Sequence, residues 1–254
     1  MGEQELTKED SDQVESDEYE DFQEYADISE IEQMELLEGF DPDLVVELKK
    51  VNKYFGGKHV IKNFDLEIAR NEFVAVIGPS GSGKSTLLNI IGLLEKASSG
   101  AVGLFGQKAP SINSRNGRKL LREKISYLFQ NAALIDHTSV LANLKIVQTY
   151  TKGTEPQKAN DRQAALDAVG LKVSLKQKIY ELSGGEQQRL ALAQILLRPN
   201  PLILADEPTG SLDADNRDEV LRLLETLHEH QKTLLVVTHD PVVWERANRV
   251  VALS

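Results

Sequence analysis

The apolar run Phe73–Ile77 passes directly into Gly78-Pro-Ser80-Gly81-Ser82-Gly83-Lys84-Ser85-Thr86. The run suits a strand buried on both faces. A helical pattern follows over Lys84–Glu95, with Leu87, Leu88, Ile91 and Leu94 on one side. Strand, glycine-rich turn and helix form the context that makes G-x-x-x-x-G-K-[ST] a phosphate-binding loop. The glycines let the backbone curl until successive N–H groups point at one phosphate, and the helix N-terminus adds its positive end. Lys84 is expected to neutralise β/γ-phosphate charge and the Ser85 hydroxyl to ligate Mg²⁺. Gly78, Ser80, Gly81, Ser82, Gly83 and Thr86 complete the expected cradle for a nucleotide such as ATP. A dinucleotide-binding turn is the other reading of such glycines, but it would not demand Lys84-Ser85.

The rest of the pattern agrees with such a loop. Leu44–Lys50, Phe64–Ile68, Ala101–Phe105, Ile125–Phe129, Pro201–Ala205, Leu234–Thr238 and Arg249–Leu253 read as strands. Val140–Tyr150, Lys158–Val169, Glu186–Leu197, Asp215–His230 and Pro241–Ala247 read as helices. Strands alternating with helices predict an α/β fold with a mostly parallel sheet and crossover helices. The helix-rich stretch of about 131–197 breaks the alternation and reads as an inserted helical subdomain.

Leu202-Ile-Leu-Ala-Asp206-Glu207 is an apolar strand ending in two acids. Such a strand presents its last residues at the carboxyl edge of the sheet, where ligands bind. Asp206 is expected to hold Mg²⁺ through water and Glu207 to polarise an attacking water. The plainer reading, two acids opening a turn before Pro208, loses weight beside an upstream phosphate loop. His228 and His230 are two apart on a helix, share no face and read as solvated surface.

Charge divides the chain. Residues 1–43 hold 18 carboxylates against one lysine, a net −17, whereas residues 44–254 hold 28 lysines and arginines against 22 carboxylates, a net +6. The acidic segment reads as a solvated, mostly disordered tail. Its Tyr19–Leu37 apolar series, with Ser29 and Glu32 at capping-box spacing, also fits an acidic amphipathic helix that docks on a basic partner. No apolar run approaches the roughly 20 residues that cross a bilayer, and the acidic N-terminus predicts no secretory leader. The absence of cysteine suits a cytosolic protein. No basic stripe or stacking array points to nucleic acid.

Leu182-Ser183-Gly184-Gly185-Glu186-Gln-Gln-Arg189 resembles the signature of ABC (ATP-binding cassette) ATPases, and it lies between the phosphate loop and the acidic strand. The resemblance covers about residues 44–254. It implies a P-loop, RecA-like core with an antiparallel β-subdomain and an inserted helical subdomain. It also implies that Phe55 stacks on adenine, with Tyr54 as its rival, and that Gln130 is the glutamine that couples metal and catalysis. Ser211-Leu212-Asp213 is similar to the D-loop, and His239 to the switch histidine that meets the γ-phosphate. Two cassettes are then expected to meet head to tail, each ATP lying between one copy's phosphate loop and the other's Ser183, Gly184, Gly185 and Glu186.

Ala205-Asp206-Glu207-Pro208-Thr209-Gly210-Ser211-Leu212-Asp213 resembles the lipoprotein-release, macrolide-export and cell-division cassettes more than importer cassettes. Leu121–Asn131 and Leu87–Glu95 are similar to lactococcin-type bacteriocin-export cassettes. The resemblance implies an ATPase that powers a separate integral membrane permease from the cytoplasmic face, exporting a peptide, lipoprotein or small hydrophobic molecule. A soluble ABC ATPase acting on a macromolecular assembly is the alternative.

Overall fold

The computed structural model describes residues 39–198, 200–210 and 212–253. The Tyr19–Leu37 series and Ser211 lie outside the described residues. Five parallel strands form one sheet in the order β6-β7-β8-β3-β9. They are β3 (Phe73–Ile77), β6 (Ile125–Leu128), β7 (Leu202–Asp206), β8 (Thr233–Val237) and β9 (Arg249–Ala252). An antiparallel sheet has the order β2-β1-β4-β5. It contains β1 (Leu44–Phe55), β2 (Lys58–Ala69), β4 (Ser99–Leu104) and β5 (Gln107–Lys108). The helices are α1 (Lys84–Ile91), α2 (Arg115–Glu123), α3 (Val140–Val147), α4 (Glu155–Ala168), α5 (Gly184–Leu196), α6 (Ala214–Glu229) and α7 (Pro241–Trp244).

Alternation along the buried strands divides the interior into two cores. Val74, Val76, Leu202, Leu204, Leu235 and Val237 face β1, β2 and α1. Phe73, Ile203, Ala205, Leu234 and Val236 face the other way, into a core shared with Leu144, Leu166, Leu190, Val220 and Leu224. The helices between β6 and β7 therefore close over the same sheet face as α6. The central strands β3, β7 and β8 are apolar on both sides because they have a core on both sides, whereas the edge strand β9 is largely exposed.

Several elements differ in extent from the sequence pattern. The first helix stops at Ile91, not Glu95: Gly92 caps it and Leu93 takes φ 58°. That reversal turns Leu93 into the core and leaves Leu94 48% exposed. The helix α2 was hidden by its basic residues and by Gly117, yet Ser114 caps it by accepting from the Gly117 N–H (2.9 Å). Ordered packing starts before Leu44. The Phe40 ring occupies the space a side chain on Gly103 would need. Asp41 N–H donates to Glu47 Oε2 (2.8 Å), and Lys49 Nζ donates to the Gly39 carbonyl (3.0 Å).

Tyr127 of β6 lies against Gly92. Its hydroxyl donates to the Leu88 carbonyl (2.8 Å), and its ring stacks on Phe129 with centroids 4.7 Å apart. A Cβ at Gly92 would overlap the phenol. Gly92→Ala is therefore expected to lower unfolding free energy by about 1–3 kcal/mol. Urea denaturation of the variant with an unchanged midpoint would contradict this packing.

Candidate active site

Parallel strands all end at one edge, so strand order dictates which residues meet there. β6 delivers Gln130, β7 delivers Asp206 and Glu207, β8 delivers Thr238 and His239, and β3 delivers the loop from Gly78 to Gly83. Backbone bonds continue the pairing past the strands: Glu207 N–H to Val237 O (2.9 Å), Thr238 N–H to Val76 O (3.1 Å) and Leu253 N–H to Ile77 O (2.8 Å).

Space and backbone angle both demand glycine in the loop. A Cβ on Gly78 would overlap the Leu253 carbonyl. Gly83 sits at φ 95° as the N-cap of α1, and a Cβ there would lie 2.8 Å from Val60 Cγ1. Lys84 folds back over the loop, its Nζ donating to the carbonyls of Gly78 (2.8 Å) and Pro79 (3.1 Å). Its ammonium is thus held within the curl. The Ser82 hydroxyl is buried in the same cradle with no hydrogen-bond partner among the described residues.

Ser85, in the first turn of α1, donates its hydroxyl to Asp206 Oδ1 (3.1 Å). Burial pushes the Asp206 carboxyl up, the Ser85 hydrogen bond lowers it, Glu207 raises it and Lys84 lowers it. The Tyr127 phenol is pushed well above its usual range by burial and by the charge of Asp206, so it stays a donor.

Glu207 takes φ 44°, a conformation that costs a non-glycine residue on the order of 1–3 kcal/mol. The Glu207–Val237 backbone bond and a Gly210 N–H to Glu207 carbonyl bond (3.1 Å) hold it there. Its Oε2 takes His239 Nδ1 (2.8 Å), the Thr238 hydroxyl (3.3 Å) and the His239 N–H (3.3 Å). All three of these contacts fall on Oε2. Glu207 is largely covered while the His239 ring is 70% exposed, so the pair spans from the protein interior to the open edge. Gln130 is exposed, and its side-chain nitrogen approaches Gly210.

A second cluster stands apart. Ser183 caps α5: its hydroxyl accepts from Glu186 N–H (3.3 Å), and Glu186 Oε2 accepts from Ser183 N–H (2.8 Å) and Oγ (2.9 Å). Gly184 faces open space, whereas a Cβ on Gly185 would overlap the Asn216 side chain. Asp213 caps α6, accepting from Asn216 N–H (2.9 Å) and from its amide Nδ2. These bonds hold the Asp213 carboxyl below the usual carboxylate range. Asn216 also accepts from Arg189 (3.0 Å), so signature helix and Asp213 turn form one unit. Among the described residues no hydrogen bond joins this unit to the phosphate loop. Phe55 ends β1 and is 47% exposed, whereas Tyr54 stacks on His59 at 4.0 Å between centroids.

Sequence reasoning missed Asn216 and Gln188. Gln188, within the quoted signature run, donates its amide to the carbonyls of Phe129 (3.3 Å) and Pro208 (3.2 Å). It ties the signature helix to the strand ends carrying Gln130 and Glu207. No spacing rule marks such a residue, because its partners are backbone atoms on distant strands.

The sheet edge and the loop define a P-loop nucleotide-binding protein. Residues 61–210 match the ABC transporter family, and the chain belongs to that family. It is 38% identical over 214 residues to the macrolide export ATP-binding/permease protein MacB of Mannheimia succiniciproducens, covering 83% of this chain and 33% of that protein. The chain thus spans about a third of the length of the curated relatives it matches. It superposes on the dimeric bacterial ABC transporter cassette MJ0796 with a TM-score of 0.75 and 36% identity, over 82% of this chain and 94% of that one. A dimeric post-hydrolysis state of MJ0796 bound to ADP and Pi matches equally, with a TM-score of 0.75 and the same identity and coverage.

Replacing Gln188 by Leu strands the carbonyls of Phe129 and Pro208. We expect a loss of about 1–3 kcal/mol in unfolding free energy. A thermal melt matching the unmodified chain would show that the bridge carries no weight.

Proposed function

We propose that this chain binds ATP with Mg²⁺, hydrolyses it, and uses the energy to drive a membrane permease, as part of an exporter. The observation that carries this reading is the alignment on one sheet edge of the phosphate loop, the Ser85–Asp206 pair and the Glu207–His239 pair. Phosphate oxygens would be taken by the loop N–H groups, Ser80, Ser82, Thr86 and Lys84. Ser85, Asp206 and Gln130 would hold Mg²⁺; a hydroxyl and a carboxylate 3.1 Å apart suit a cation that takes oxygen ligands and few carboxylates. Among the described residues no cluster of three or more His, Cys, Asp or Glu offers an all-protein cage. When bound, Mg²⁺ supplies charge that offsets the phosphates.

Glu207 orients the attacking water through Oε1 and accepts its proton. His239, steadied through Nδ1, keeps Nε2 for the γ-phosphate. Phe55 stacks on the base. Ser183, Gly184, Gly185, Glu186 and Asp213 serve the ATP of a second copy in a head-to-tail dimer. The dimeric relatives support this, and so does the separation of the signature unit from its own loop. Gln130, at the exit of β6 toward the α3–α5 helices, would convey the state of the γ-phosphate to the permease.

The MacB likeness supports export, and it supports placement at the inner face of the cell membrane through a permease. Among the described residues no helix is long and apolar enough to cross a membrane. The acidic residues 1–43 would take a basic partner, an attraction that weakens with salt over ~10 Å of screening at 0.1 M.

Lys84→Ala is expected to lower ATP turnover by ~10²-fold or more, because the phosphate charge loses its partner; unaltered turnover would remove the phosphate-loop assignment. Glu207→Gln should bind ATP, barely hydrolyse it and accumulate as a dimer. Adding Ser183→Arg should return it to monomers. Sedimentation showing monomers of Glu207→Gln at saturating ATP would refute the composite site.

A further inference from the structure

Lys53 is a lysine turned inward, its side chain only 11% exposed. A buried ammonium is tolerated when its three N–H donors all find partners. One donates to Glu95 Oε1 (2.8 Å) and one to the Lys96 carbonyl (2.9 Å). The remaining partner is the Phe55 ring, with Nζ 4.5 Å from its centroid. The Glu95 carboxyl is held below the usual carboxylate range, chiefly by the Lys53 hydrogen bond.

Glu95 ties this arrangement to the phosphate end of the site. Its N–H donates to the Asn89 carbonyl (3.1 Å) just past the helix α1, whose first residue is Lys84. The strand end is pinned to the same segment, Tyr54 N–H donating to Ser98 Oγ (3.1 Å) and Ser98 N–H to the Asn52 carbonyl (2.8 Å). One helix therefore carries the phosphate loop at its start and, just beyond its end, the carboxylate that aims Lys53 at the ring.

We propose that Lys53, anchored by Glu95, is a positioning residue for base recognition: it holds one face of Phe55 and leaves the other for the adenine of ATP. The ammonium draws on the ring's π-density, which makes the opposite face a better platform for an electron-rich purine. The tie to α1 sets that platform at a fixed distance from the phosphates. The inference rests on the nucleotide reading above, and it assigns the Lys53–Glu95 pair to the base rather than to the phosphates.

The test compares ATP with inorganic tripolyphosphate, which has phosphates and no base, binding to the full chain with Mg²⁺. Lys53→Met keeps the stem and removes the charge. It should weaken ATP about threefold to tenfold, leave tripolyphosphate unchanged, and raise KM for ATP with kcat retained. Should Lys53→Met fail to fold, Glu95→Gln should show a smaller loss confined to ATP. In a Phe55→Leu background, Lys53→Met should cost nothing further. An unchanged ATP affinity in Lys53→Met, or equal losses on both ligands, overturns the proposal. If Phe55→Leu weakens ATP binding while Lys53→Met does not, this inference alone fails. If Phe55→Leu leaves ATP binding intact, the assignment of Phe55 to the base fails, and this inference with it.

Discussion

Burial of β3 on both faces is the constraint on which the site depends. Val74 and Val76 are packed into one core and Phe73 into the other, and β8 and β9 flank the strand with parallel hydrogen bonds. A strand so enclosed cannot shift register without exposing its apolar residues. The loop that leaves it at Gly78 therefore begins from a fixed point. Lys84, Ser85 and the helix α1 inherit that point, as does the distance across the sheet edge to Asp206, Glu207 and His239. The order of side chains at the edge follows from strand order behind it.

The antiparallel sheet joins this frame at two places. Val60 and Ile61 of β2 sit against Gly83, and Lys53 of β1 bonds Glu95 beyond α1. One sheet thus meets both ends of a single short helix. The α5–α6 pair forms the other rigid unit, with Asn216 linking Asp213 to the signature helix and Gln188 linking that helix to the strand ends. Small changes at the sheet edge have direct hydrogen-bonded routes to the helices between β6 and β7.

Much of this was legible in the sequence, for physical reasons. The phosphate loop is encoded locally, since glycine, lysine and serine at fixed spacing are what backbone curl and charge neutralisation need. The apolar strand before Asp206-Glu207 announced its own burial. What stayed illegible depends on contacts between distant segments. Nothing local in Glu207 predicts φ 44°, which its backbone bonds to Val237 and Gly210 impose. The early end of α1 follows from the Leu93 reversal, and the charged helix α2 has no apolar periodicity to give it away. Asn216 and Lys53 read as ordinary polar residues until the fold brings Gly185 and Glu95 beside them.

In the proposed dimer each ATP would be enclosed by the phosphate loop of one copy and the signature of another. The chain has no cysteine, so single thiols can be placed at will. Pro79→Cys lies in the phosphate loop, and Tyr180→Cys lies just before Ser183 at a position 60% exposed. Copies of the two single-cysteine variants, each also carrying Glu207→Gln, would be mixed and treated with a short bismaleimide. Covalent dimers joining Pro79→Cys to Tyr180→Cys are expected when ATP is present, and few without it. Dimers joining Pro79→Cys to Pro79→Cys, or no ATP-dependent dimers at all, would contradict this arrangement.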